Sequence, residues 1–162
     1  MARRVAALLV VVALTGACHH GGPSSEARSA RLRADIRGAD AVVLADPTGE
    51  RQEFIPSPQT LSTARVDQVL RGAVHGQFFH LFQTGVANRK SSLRGTDPLV
   101  HSRATYLLVL RKTASGAPGI EAYTTVDGAV YVRDGDTYKL LSSAPLPRRI
   151  PASDVTALVA AG

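Results

Sequence analysis

Tryptophan is absent from this sequence, and cysteine and methionine occur once each. A single cysteine excludes both a disulfide framework and a zinc site built from four cysteines. No apolar run approaches the ~20 residues a membrane-spanning helix needs; the longest covers residues 5–14. Nucleophile elbows of the Gly-x-Ser-x-Gly type, Ser-x-x-Lys pairs, phosphate-cradling glycine loops and twelve-residue calcium loops are all missing. Aromatic residues make up 5% of the chain, too few to furnish both a core and a stacking platform for nucleic acid. These gaps leave no recognisable catalytic residue, metal site or cofactor site. The chain reads as a non-enzyme that does not bind nucleic acid.

The 162 residues are 44% hydrophobic and 20% charged, a balance that suits one globular domain. Formal charge is +6, and setting aside Arg3 and Arg4 leaves 17 basic against 13 acidic residues. Those two arginines precede the apolar run of residues 5–14, and the small residues Gly16 and Ala17 follow it. A basic start, a short apolar stretch and small residues form the pattern of a secretory signal peptide. An ordinary secretory signal with a chance cysteine fits this much of the pattern.

Leu14-Thr15-Gly16-Ala17-Cys18 resembles the lipobox of bacterial lipoproteins, with Thr15 where leucine is commonest. The resemblance implies cleavage after Ala17 and diacylglyceryl attachment, with palmitate-like chains, to the thiol of Cys18. It places the protein on a cell membrane or outer membrane, facing outward and held by lipid. His19 after Cys18 is not the aspartate that commonly retains such proteins at an inner membrane.

Residues 18–38 read as the lipidated cysteine, a flexible tether rich in Gly, Pro and Ser, and a short basic helix. The helix follows Ser24 or Ser25; Ser25 can cap it, Glu26 suits its first turn and Gly38 ends it. Arg28, Arg31, Arg33 and Arg37 either meet anionic headgroups or solvate a helix with a thin apolar stripe from Leu32 and Ile36.

From residue 39 to 144 the pattern is strands and turns. Residues 41–45 are a short buried strand, and residues 46–59, with Pro47, Pro56 and Pro58, read as a loop with at most a piece of edge strand around Phe54-Ile55. Residues 60–70 alternate, with Ala64, Val66 and Leu70 on the better core face. Residues 77–83 place Phe78, His80 and Phe82 on one face and Phe79 and Leu81 on the other, and either face can be the inner one. Residues 84–104 form a long loop with few large apolar groups. Residues 105–110 are a strand buried on both faces. Asp127-Gly128 and Asp134-Gly135 read as type I′ turns joining three strands into a meander. Residues 145–162 are a Pro-rich stretch and a helix capped by Ser153. The expected core includes Val42, Val43, Leu44, Val66, Leu70, Leu107, Val109, Val130 and Val132.

Four landmarks over residues 39–141 (segments 39–45, 64–72 and 104–111, and the double Asp-Gly meander) are similar to those of OB-like domains of the netrin-like or tissue-inhibitor-of-metalloproteinase kind. The resemblance implies a mainly β fold: a small closed antiparallel OB-like β-barrel with short N- and C-terminal helices. Those inhibitors use several disulfides and an unmodified N-terminal cysteine to chelate their target's zinc. This chain has one cysteine, in the lipobox, so that mode of inhibition is not carried over.

The expected function is therefore a binding or accessory module of the cell envelope, anchored through Cys18. Arg89, Lys90, Arg94 and Arg103 make the long loop basic, which suits an acidic protein or an anionic glycan. The alternative is a metal-binding or hydrolytic envelope protein using His75, His80 and His101.

Overall fold

The computed structural model describes residues 22–54, 59–84, 98–114 and 119–162. Helix α1 (Ser25–Arg37) is followed by strands β1 (Ala41–Phe54), β2 (Gln59–Gly72), β3 (Phe78–Thr84), β4 (Tyr106–Thr113), β5 (Ala122–Asp134), β6 (Thr137–Leu140) and β7 (Arg149–Pro151). A single 3-10 turn, Ala152–Asp154, leads into helix α2 (Val155–Ala160). The protein is mainly β, with two short helices. The strands hydrogen-bond in the order β3-β2-β1-β4-β5-β6-β7, and β3 also pairs with β5. Every pairing is antiparallel except β3–β5, so the pairing of the first five strands returns to its start.

Alternation along the strands divides the apolar residues between two cores. Ala41, Val43, Ala45, Ala64, Phe79, Leu81, Tyr106, Leu108, Leu110, Tyr123 and Val130 fill the inner one, where Phe79 and Tyr123 meet edge to face at 5.7 Å. Val42, Leu107, Val109, Ala129 and Tyr131 point the other way, against Leu32 and Ile36 of α1 and Val155 and Val159 of α2. Strand β4 is buried on both faces because it lies between these cores. Val42, Val43, Leu107, Val109 and Val130 are fully buried, as expected, while Leu44, Val66, Leu70 and Val132 are partly buried at the margins.

The turn signals misled in three places. Asp46-Pro47-Thr48-Gly49 does not end β1, and the loop expected over 46–59 is largely strand. Between the pairs Pro47–Ala64 and Arg51–Ser62 the chain makes a bulge. Gly49 supplies φ +94° there, and the Thr48 hydroxyl donates to the Thr63 carbonyl and accepts from the Glu50 amide, both at 3.2 Å. Asp127-Gly128, with φ +47° and +70°, is likewise a bulge inside one continuous β5: Leu108 pairs with Val130 and Leu110 with Thr125. Only the second Asp-Gly makes a hairpin. Its paired ends are Asp134 and Thr137, so the loop residues are Gly135 and Asp136. Positive φ falls at Gly135 alone, the pattern of a type II′ turn and not I′.

The helix ends also differ. Ser24 is the cap of α1, accepting from the Ala27 amide at 3.2 Å, and Gly38 closes the helix in a right-handed conformation. Ser153 caps nothing: its hydroxyl donates to Asp154 Oδ1, and α2 begins after a 3-10 turn. The stretch expected to be Pro-rich and irregular also holds a strand, β7, paired with β6.

Candidate functional site

Among the described residues, the helices pack on one side of the sheet and neither lies over the outward side chains of Leu61–Arg65 and Phe78–Phe82. Leu61 on β2 stands beside Gln52 of β1 and Phe82 of β3, and Thr63 stands beside His80. Because β2 turns Thr60, Ser62 and Ala64 inward, Leu61, Thr63 and Arg65 must point out. The same logic settles β3: Phe79, Leu81 and Gln83 are inside, so Phe78, His80 and Phe82 face outward, with Phe78 41% exposed.

A groove of about 500 Å³ on this face is lined by Glu50, Arg51, Phe54, Leu61, His80 and Phe82. Beyond Phe82 lies a second concavity of about 270 Å³, lined by Gln59, Thr84, Thr124, Thr125 and Asp127. Phe82 belongs to both. Over Gln59–Arg65 the β2 backbone is paired on both sides, with β1 and with β3. Beside it, Arg51–Phe54 of β1 has strand pairing with β2 alone among the described residues.

Of the expected site residues, Cys18, Arg89, Lys90 and Arg94 lie outside the described residues. Arg103 is exposed, with φ +71°, at the edge of a third concavity of about 260 Å³ that it shares with Asp46, Ala104 and Thr105. The end of its segment is not a free loop. Leu99 and Val100 are buried, and Gln83 Nε2 donates to the Pro98 carbonyl at 2.6 Å while its Oε1 accepts from the Val100 amide at 3.1 Å.

The histidines occupy three separate places. His101 is exposed, and its amide donates to the Tyr106 hydroxyl at 2.9 Å. His80 lines the groove. His75, in the β2–β3 connection, uses both its amide and Nδ1 at 3.0 Å to bind Glu121. No group of three or more His, Cys, Asp or Glu that could hold a metal ion occurs among the described residues.

Glu121 is the main electrostatic centre that sequence reasoning missed. Its carboxylate also receives Lys112 Nζ and the Tyr123 hydroxyl, the latter at 2.6 Å. Lys112 first, then Tyr123 and the His75 amide, hold the Glu121 carboxyl well below the usual carboxylate range. Burial and the bond to Glu121 push the Tyr123 hydroxyl up. The cluster joins the β2–β3 connection to the end of β4 and the start of β5. His75 presents its other ring nitrogen to solvent, with its side chain 80% exposed. Nothing in the sequence signals the cluster, because Lys112 and His75 lie 9 and 46 residues from Glu121.

No helix among the described residues is long and apolar enough to cross a membrane. No protein-family model matches the chain, and no curated protein matches its sequence.

Proposed function

We propose that this protein is a lipid-anchored, non-enzymatic binding module of the bacterial cell envelope. In this reading Cys18 carries the acyl chains, the glycine-rich tether spaces the body from the bilayer, and the ring of β1 to β5 is an OB-like barrel. The pairing order β1-β2-β3-β5-β4-β1, with one parallel contact, supports that barrel. The observation that carries the binding role is the groove itself. Among the described residues, helices and the C-terminal segment pack on the other side, while Phe54, Leu61, His80 and Phe82 line the groove. Apolar side chains in a concavity, together with a few polar groups, are the usual make-up of a binding site. The basic residues Arg89, Lys90, Arg94 and Arg103 add electrostatic attraction for an acidic protein or an anionic glycan of the envelope.

Two measurements test this. Metabolic labelling with a palmitate analogue should mark the wild type and not Cys18→Ala; label that persists in the variant removes the anchor from the reading. Cross-linking in intact cells should then recover an envelope component with the wild type. Replacing Arg89, Lys90 and Arg94 by Ser should lower that yield, and raised salt should lower it too, because the Debye length shrinks from about 10 Å at 0.1 M to about 3 Å at 1 M. Recovery of no component by the wild type would reject a binding role.

A further inference from the structure

Helix α1 has two unlike faces. Leu32 and Ile36 are each 1% exposed in the outer core, and Asp35 Oδ2 is buried too. On the opposite face, at spacings of three and four, stand Ala27, Ala30, Arg31, Ala34 and Arg37, all exposed. Arg33 lies beside them, half-buried. The helix has one other carboxylate, Glu26 in its first turn. Among the described residues Arg31 pairs with Asp127, and Arg33 and Arg37 are in no ion pair. Outside the described residues the chain has a single Asp or Glu, Asp97, so it has little left with which to neutralise this face. The arrangement carries a cost. Arg28 and Arg31 are three apart and Arg33 and Arg37 four apart, and like charges at those spacings oppose the helix. An anionic surface laid against the face removes that opposition.

Chain length selects that surface. From Cys18 to Ser25, where α1 begins, is seven residues, at most about 25 Å of extended chain. With acyl chains on Cys18 inserted in a bilayer, the phospholipid headgroups are therefore held within reach of α1 by a covalent link. Docking becomes an intramolecular step at an effective concentration in the millimolar range, so a modest attraction is enough. Guanidinium groups also match phosphate in geometry and charge. We infer that the outward face of α1 lies on anionic phospholipid headgroups beside the anchor, with Arg31, Arg33 and Arg37 on the phosphates. This rests on the lipid-anchored reading above and says how the body is held once it is anchored.

The test uses the acylated full chain carrying Ala30→Cys, which takes a fluorescent probe at residue 30 because the Cys18 thiol is blocked. The protein is reconstituted in vesicles of phosphatidylcholine alone or of equimolar phosphatidylcholine and phosphatidylglycerol, each with a trace of headgroup nitroxide as quencher. Quenching should be strong with phosphatidylglycerol and weak without it, and should fall as salt rises from about 0.1 M to about 1 M. Each basic residue near an anionic membrane is worth a factor of about five. Arg37→Gln should therefore lower the ratio of docked to free helix about fivefold, and replacing Arg31, Arg33 and Arg37 together by Gln should lower it about a hundredfold. Arg37 is exposed, so its variant should keep the wild-type melting temperature, and a loss there does not come from unfolding. Equal quenching in the two kinds of vesicle, or quenching that the triple variant leaves unchanged, overturns the inference. So does a photo-cross-linking residue in place of Ala30 that captures a protein and not lipid in intact cells. Mass spectrometry of Cys18 separates the two claims. An acylated chain whose probe ignores phosphatidylglycerol keeps the anchor and loses the docking, whereas an unacylated Cys18 removes both.

Discussion

Single residues hold this fold at two points of close contact. Gly72 ends β2 with φ +73°, and a Cβ placed there would lie 2.0 Å from the Asp40 carbonyl oxygen. Gly135 also has positive φ, +60°, but nothing lies within 4 Å of its Cβ position. Asparagine tolerates the left-handed region, so it separates the two effects. Gly135→Asn should cost only about 1 kcal/mol, from backbone strain alone. Gly72→Asn and Gly72→Ala should each cost about 2–5 kcal/mol, combining backbone strain with a clash that backbone must relieve. Urea midpoints of the full chain check this. Glu121 is the second point. Folding depresses its carboxyl below the ordinary value of 4.5, so the ionised form stabilises the native state. That stabilisation is complete above 4.5 and is lost as pH falls from there toward the depressed native value. Glu121→Gln should cost about 1–2 kcal/mol at pH 7, at the low end for charge-assisted bonds because Lys112 and His75 are largely exposed. The gap between variant and wild type should narrow at pH 3. An unchanged gap would mean that shape, not charge, makes Glu121 stabilising.

At the scale of elements, α1 shows which of its residues attach it. Four arginines dominate its sequence, yet among the described residues Arg31 alone makes an ion pair with the sheet, to Asp127, and both partners are about half exposed. Leu32 and Ile36 are each 1% exposed in the outer core. Burying a leucine side chain is worth about 1.5–3 kcal/mol, whereas an exposed ion pair contributes about 0–1 kcal/mol. Leu32→Ala should therefore cost about 2–5 kcal/mol and Arg31→Ala less than about 0.5 kcal/mol. Thermal melts followed by circular dichroism distinguish them, and the opposite ranking would mean that charge holds the helix. The apolar stripe was legible as spacing four apart. That it inserts into a core with residues as distant as Val159 was not, because the partner surface comes from other parts of the chain. The Asp-Gly pairs teach the same lesson. Both supply positive φ, but β4 runs on beside Asp127-Gly128 and keeps β5 in the sheet through a bulge, whereas nothing holds the chain straight at Gly135.

For the whole molecule, protection should follow the double core. Amides of Tyr106–Leu110 in β4 lie between two apolar layers and pair with both neighbours, so they should exchange slowest. In β2 the outer part, from Asp67 to Arg71, pairs only with β1 and is largely exposed, so it should exchange faster than Thr60–Arg65, which pairs on both sides. Hydrogen-exchange mass spectrometry reads both, and equal rates along β2 would contradict the one-sided pairing. Local alternation by itself determined that this is a mainly β chain and located six of its seven strands, because period-two patterning and turn chemistry are properties of neighbouring residues. It also supplied the lipobox resemblance at Cys18 and the basic residues of the long connection. Three things were left to the tertiary structure: which face of β3 points inward, that Lys112, Tyr123 and His75 converge on Glu121, and that the helices pack on one side of the sheet while, among the described residues, neither lies over Leu61 and Phe82. Each depends on residues far apart in sequence meeting in space, and an alternating pattern fits either face of a strand until the rest of the chain packs against one of them.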